Sequence, residues 1–274
     1  MSAAVEAAAP PAAPRRRGLA QRPRALLVPL ALLFAWYLAT HNQPYGLIPS
    51  PWDVAVALYD LAFGGINDDA FSGMLLTHLL ASAGRVYGAF LLAAALGVPL
   101  GLLIGRLTIV RELLDPTLQL LRPIPVTAWL PLSMILFGIG ATSAFFLVAL
   151  GSFYPVLLNT VFGVRSVEPR LFEAAAMLGA SPTQIFPKVV LPAALPGIFT
   201  GLRLGLGFAW VVIVVGEMTG VQTGLGAMIM DARQLSRTEI VIAGMAVIGV
   251  AGFVSDQVVQ WLGRRLLAWS PLHG

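Results

Sequence analysis

An all-α, polytopic membrane bundle of about six spanning helices is the fold that this sequence predicts, and three observations predict it. The 274-residue chain is 58% hydrophobic and 11% charged, with a mean hydropathy of +0.84, too apolar for a chain that keeps most of its surface in water. Apolar segments of roughly 16 to 25 residues recur along it, which matches a hydrocarbon layer of about 30 Å. Arginines gather on alternate connections, as a bias of positive charge toward the cytoplasm demands. Length alone would permit two soluble domains; the recurring apolar segments argue for one helical bundle.

Taken in order, residues 1–24 are rich in Ala, Pro and Arg and read as a disordered basic cytoplasmic tail. The cluster of Arg15, Arg16, Arg17, Arg22 and Arg24 suits cytoplasmic anchoring better than nucleic acid, which is set aside. Ala25 to Thr40 follows as a first span, and no small-x-small cleavage site comes after it, so it is not read as a signal peptide. Residues 41–77 carry Asp53, Asp60, Asp68 and Asp69 without Lys or Arg, and are placed outside with a short amphipathic helix opened by Pro51. Residues 25–71 thus form a first helix plus extracytoplasmic segment, 72–269 the core, and 270–274 a tail.

Within that core a second span is expected over about 79–105, where Gly84, Gly88, Gly97, Gly101 and Gly105 supply small-residue spacing for close helix approach. A third, about 126–139, and a fourth, about 144–162, flank the uncharged turn GIGATS, with Arg111, Arg122, Arg165 and Arg170 on the opposite side. A fifth, about 195–219, and a sixth, about 240–262, enclose an outer loop in which Arg233 and Arg237 run against the charge bias, accompanied by Asp231 and Glu239. Both termini come out cytoplasmic. Pro99, Pro123, Pro125, Pro131 and Pro155 are expected at kinks or loop starts.

The connection at 165–192 is too polar and too proline-punctuated to span. Pro169 opens a short helix that Gly179 stops with a left-handed cap. Ser181 and Gln184 form a capping box for a second, which Pro187 should kink and Pro192 and Pro196 should end. Such a knob, lined with alanines, suits the groove of a partner.

Its residues carry a resemblance. Glu173-Ala174-Ala175, three residues, Gly179, nine residues, Val189, one residue, then Leu191-Pro192 is similar to the EAA loop of binding-protein-dependent ABC importer permeases, with Val189 where that family usually has Ile. From roughly Leu76 to Trp269 the chain resembles most the nitrate, sulfonate and taurine permeases. The resemblance implies a type I importer permease fold in a bacterial cytoplasmic membrane. It implies a homodimer clasping two copies of a separate cytoplasmic ATPase, an extracytoplasmic binding protein that delivers substrate, and ATP with magnesium bound in the ATPase rather than here. Glu173, Ala174, Ala175, Gly179, Leu191 and Pro192 are its ATPase-coupling residues, and the substrate it suggests is a small oxyanion or organosulfonate.

Independently of the resemblance, the only lysine, Lys188, lies outside any phosphate-binding loop, so no nucleotide motif and no enzymatic role are expected. No catalytic, cofactor or metal site is assigned; cysteine is absent, and His41, His78 and His273 are scattered and read as loop, interface or tail residues. Arg85 and Arg203 sit in apolar segments, where they either face a translocation path or snorkel or pair with a carboxylate. Glu217 either gates the outer mouth or salt-bridges an arginine. An ATP-independent secondary transporter is the alternative; it would show inverted repeats and would leave the loop unexplained.

Overall fold

The computed structural model describes residues 22–41, 48–67 and 69–267, so the tails expected at 1–24 and 270–274 lie outside the described residues except for 22–24. Those three residues belong to a helix rather than to the tail: α1 spans Arg22–His41. It is followed by α2 (Pro51–Phe63), α3 (Leu75–Arg106), α4 (Thr108–Leu121), α5 (Leu130–Phe137) and α6 (Ala141–Arg165). Then come α7 (Pro169–Met177), α8 (Pro182–Ile185), α9 (Leu191–Glu217), α10 (Leu225–Gln234) and α11 (Thr238–Leu266).

Four stretches, 75–106, 141–165, 183–217 and 238–266, are each long and apolar enough to cross a membrane. The expected third span is not one straight helix. A 3₁₀ turn at Val126–Trp129 and α5 make a short apolar arm, and α4 meets that arm at 89° to form a broken span. The sequence Arg122-Pro123-Ile124-Pro125 explains the break, because each proline removes an N–H and each residue before a proline is pushed out of the α region. Counting that pair once gives five spans; the sixth that the sequence predicts corresponds to α1, a shorter apolar helix.

At the centre is α6, packed most extensively against α9 on one side and α3 on the other. Small residues make both contacts close. A Cβ on Gly101 would lie 2.7 Å from the Cβ of Thr160, and one on Gly197 would lie 2.7 Å from the Cα of Gly163. Of the glycines expected to admit a neighbour, Gly88, Gly97, Gly101 and Gly105 face α6, whereas Gly84 faces open space. The hydroxyls left in this apolar interior bond back to their own helices, with Ser152 donating to the Val148 carbonyl at 2.8 Å and Thr160 to Val156 at 2.7 Å. Outward, Leu80, Leu91, Leu96, Ile135, Phe162, Val211 and Phe253 are exposed, an apolar exterior that suits hydrocarbon rather than water.

The two ends of the bundle differ. One holds α2, α10 and the first turns of α3 and α11. There Ser50 caps α2 in a capping box with Asp53, and the buried Asp60 accepts from Ser72 Oγ at 2.7 Å, Ile66 N at 2.9 Å and Asn67 N at 3.3 Å. The Ser72 hydroxyl, followed by the Ile66 and Asn67 amides, outweighs burial and holds the Asp60 carboxyl below its ordinary value. Arg237, out of place by the charge bias, contacts Glu239 at 2.5 Å and Asp69 at 2.7 Å. The opposite end carries Arg106, Arg111, Arg122, Arg165, Arg170, Lys188, Arg264 and Arg265.

Candidate functional site

At the basic end, α7 stands between α6 and α9 with none of its residues buried. Pro169 occupies its first turn, and Gly179, at φ 79°, ends it. The Gly179 N–H bonds the Ala176 carbonyl and the Ala180 N–H the Ala175 carbonyl, both at 3.0 Å, so the exposed helix end is closed without help from another element. Met177 and Leu178 remain 84% and 88% exposed, an apolar tip beside Glu173, Ala174 and Ala175 that nothing among the described residues covers.

The six expected coupling residues fall in two places. Glu173, Ala174, Ala175 and Gly179 share the exposed knob, whereas Leu191 and Pro192 form the first turn of α9. Leu191 packs against a small core of Val164, Val167, Val190, Ala194 and Ile198. Between knob and core, Ser181 and Gln184 make the expected capping box for α8, the Ser181 N–H donating to Gln184 Oε1 at 3.1 Å.

Pro192 and Pro196 do not end a helix there, contrary to expectation. A π turn at Phe186–Val190 joins α8 directly to α9. Pro187 and Pro192 flank the π turn inside this continuous helix, whose wider turn absorbs their missing N–H groups, and the helix runs on past Pro196. Phe186 of that turn lies under the Arg106 guanidinium, 4.5 Å from ring centroid to cation. With Phe172 of α7 and Val164 of α6 these side chains line a cavity of about 300 Å³ behind the knob.

At the other end the structure brings Arg85 and Glu217 together. Glu217, 1% exposed, closes α9 and accepts from Arg85 Nη1 at 2.5 Å, Ser82 Oγ at 2.7 Å and the Gly226 N–H at 2.9 Å. Ser82 Oγ in turn accepts from the Leu225 N–H at 2.8 Å, and Arg85 Nη1 donates to the Thr223 carbonyl at 2.6 Å. His78 is not a loop histidine: buried in the first turn of α3, it places Nδ1 3.1 Å from Gly224 N and 2.9 Å from Gly224 O. A Cβ on Gly224 would lie 2.4 Å from the Glu217 carboxylate. One buried carboxylate thus pins the turn before α10 to α3 and α9.

Arg203, the third charge singled out in the spans, forms a two-pronged pair with Asp256 of α11. Nη2 donates to Oδ2 at 2.8 Å and Nε to Oδ1. The sequence reading passed over Ser82, Thr223 and Asp256. Asp256, a lone carboxylate within an apolar run, carried the same signal that singled out Arg203.

Comparison with known proteins agrees with this arrangement. The family model for the binding-protein-dependent transport system inner membrane component matches residues 97–268. The chain is 43% identical over 245 residues to the taurine transport system permease protein of Escherichia coli, spanning 89% of this chain and 87% of that one. It is 40% identical over 248 residues to a putative aliphatic sulfonates transport permease protein of Bacillus subtilis, spanning 90% and 87%. Its fold is similar to that of a chain of the inward-facing MetNI methionine ABC transporter, with a TM-score of 0.56 and 20% identity over 69% of this chain and 92% of the other. The match covers the central spans, the exposed knob and α11 alike, and the chain belongs to the binding-protein-dependent transport system inner membrane components as the permease subunit of an ATP-driven ABC importer.

Proposed function

We propose that this permease works as a homodimer in the bacterial cytoplasmic membrane, carrying a small oxyanion or organosulfonate delivered by an extracytoplasmic binding protein. Two copies of a cytoplasmic ATPase bind ATP and magnesium and perform the hydrolysis; this chain is not an enzyme. Residues 72–269 form the permease core, 25–71 add the first helix and outer segment, and both termini face the cytoplasm. The eight basic residues at the α7 end, set against the carboxylates of the α2 end, support that orientation. The substrate reading is supported by the relatives named for taurine and aliphatic sulfonates.

The observation that carries the coupling assignment is α7 itself, a capped helix bearing Glu173-Ala174-Ala175 with its apolar tip uncovered. In this reading a cleft of the ATPase closes over the knob, and its displacement tilts α6 and α9 through the core at Leu191 and Pro192. Arg85, Glu217 and Arg203 then set the stiffness of the walls around the pathway.

Gly179→Arg tests the assignment. Nothing lies within 4 Å of a Cβ at this position, but φ is +79°, so any side chain strains the cap and arginine also obstructs a partner. The complex purified in mild detergent from its native membrane should retain the ATPase with wild type and lose it with the variant. Retention with both, together with unchanged uptake, contradicts the coupling role. Absence of an ATPase from the intact wild-type complex favours a carrier that works without ATP.

A further inference from the structure

Arg203 and Asp256 form, among the described residues, the ion pair that lies in the middle of the spans, and it is open on one side: the two side chains are 46% and 29% exposed. Arg203 stands 12 residues after Leu191 and 14 before Glu217 on α9, which puts about 18 Å of helix on one side of it and about 21 Å on the other. In a hydrocarbon layer of about 30 Å that is too deep for a guanidinium to reach the headgroups along its own stem. It reaches sideways to α11 instead.

A charged pair open to hydrocarbon is costly, and charges within spans face a bundle interior or a water-filled space. The uncovered side of this pair therefore points to an aqueous path rather than to lipid. Its surroundings agree. Thr200 and Gly207 lie one turn before and one turn after Arg203 on the same face of α9; both are exposed, and a Cβ on Gly207 would meet nothing within 4 Å. On α11 the exposed Val250, Val254 and Val258, which suit hydrocarbon, lie on the side of the helix opposite Asp256.

We propose that Arg203 lines the translocation path and is its contact for the oxyanion head of the substrate, with Asp256 as a positioning residue. The inference rests on the substrate reading above and adds the residue that handles the anion in transit. Asp256 occupies the edge of the guanidinium formed by Nε and Nη2. Nη1 and the outer hydrogen of Nη2 are left as a second two-donor edge, which matches two oxygens of an oxyanion. The carboxylate also cancels the charge of the pair, so an anion is met by hydrogen bonds and not trapped by a bare cation; a station along a path has to bind weakly enough to release.

The test uses the whole complex, permease with its ATPase and binding protein, in lipid vesicles, with ATP-driven uptake of labelled taurine, ethanesulfonate and nitrate as the measurement. Arg203→Gln should lower uptake of every one of these that the wild type carries about tenfold, the size of one lost charge-assisted hydrogen bond. That variant also strands Asp256, so the double variant Arg203→Gln with Asp256→Asn decides, because it keeps a hydrogen-bonding pair and leaves no unmatched charge. The double variant should recover stability in detergent and assembly with the ATPase while its uptake stays low. Recovery of uptake as well means that the pair only ties α9 to α11, and overturns the contact.

The chain has no cysteine, so a single introduced thiol can be read as a mass shift of this chain. During turnover Thr200→Cys and Gly207→Cys should be modified by a charged thiosulfonate and Val250→Cys should not, because a thiol reacts as the thiolate, which needs water. If the first two are as inert as Val250→Cys, the path-facing assignment is overturned. A wild type that carries none of the three anions overturns the substrate reading and the oxyanion contact together, and the cysteine pattern then decides by itself whether the pair lines the path.

Discussion

Glu217 is a carboxylate with almost no access to solvent, and every group around it donates to it. Truncating it leaves the half-buried Arg85 cation without its carboxylate and frees the buried Gly226 amide. Glu217→Ala should therefore lower the unfolding free energy by about 3–5 kcal/mol, measured by denaturation in mild detergent. Glu217→Gln keeps the shape but loses the charge, and should fall between the variant and wild type. The sequence marked Arg85 and Glu217 singly as costly charges in apolar runs, yet they stand 132 positions apart. Nothing local in either run marks the other as its partner, and Ser82 and His78 read as ordinary polar residues near a helix start.

At the scale of elements, the crossing of α6 with α9 depends on glycine facing glycine. Gly197→Val would drive a branched side chain into the Gly163 backbone, which cannot swing aside as a side chain can. A loss of about 1–3 kcal/mol is expected, the usual range for overpacking, with the folded fraction in detergent as readout; Gly207→Val, at a position with open space around it, should be silent by the same measure.

The outer segment behind α2 responds to acid instead. Its Asp60 carboxyl is held below the ordinary value by the Ser72 hydroxyl first, so the ionised form favours the fold. This contribution is complete above the unfolded carboxyl's pKa of about 3.9 and fades as pH falls through that value toward the lower folded one. Protease cleavage within residues 64–73 should rise across that window in wild type, and the rise should vanish in Asp60→Asn.

Most elements were legible because period and punctuation agree: Pro51, Pro169, Gly179 and the Ser181–Gln184 box all sit at helix ends. The 89° break was not, because hydropathy reports how apolar residues 126–139 are and says nothing of the direction in which they run.

For the molecule as a whole, α1 stands apart from the packed bundle. It touches the rest mainly through α2, helped by the Trp36 Nε1–H donating to the Pro49 carbonyl at 3.1 Å, and the family match begins only at residue 97. A chain lacking residues 1–41 should keep its α3–α6–α9 core, assemble with the ATPase and retain most of its stability in detergent, whereas loss of that assembly would make α1 part of the core. The whole-molecule layout was legible from charge: most arginines sort to one end in both sequence and structure, with Arg85, Arg233 and Arg237 the exceptions at the other. The cavity behind the knob was not, because a space between helices appears only once they are placed.

The π turn at Phe186–Val190 also fixes an angle. It takes up one residue more than an α-helical turn, and one residue of α-helix is worth about 100° of rotation. The compass bearing of Glu173-Ala174-Ala175 relative to α9 is thus set by a single surplus amino acid. Deleting Lys188 would let the helix close up as a regular spiral and swing the knob by about a quarter turn, aiming the proposed docking surface, still fully folded, away from its motor: a transporter stalled by phase rather than by damage.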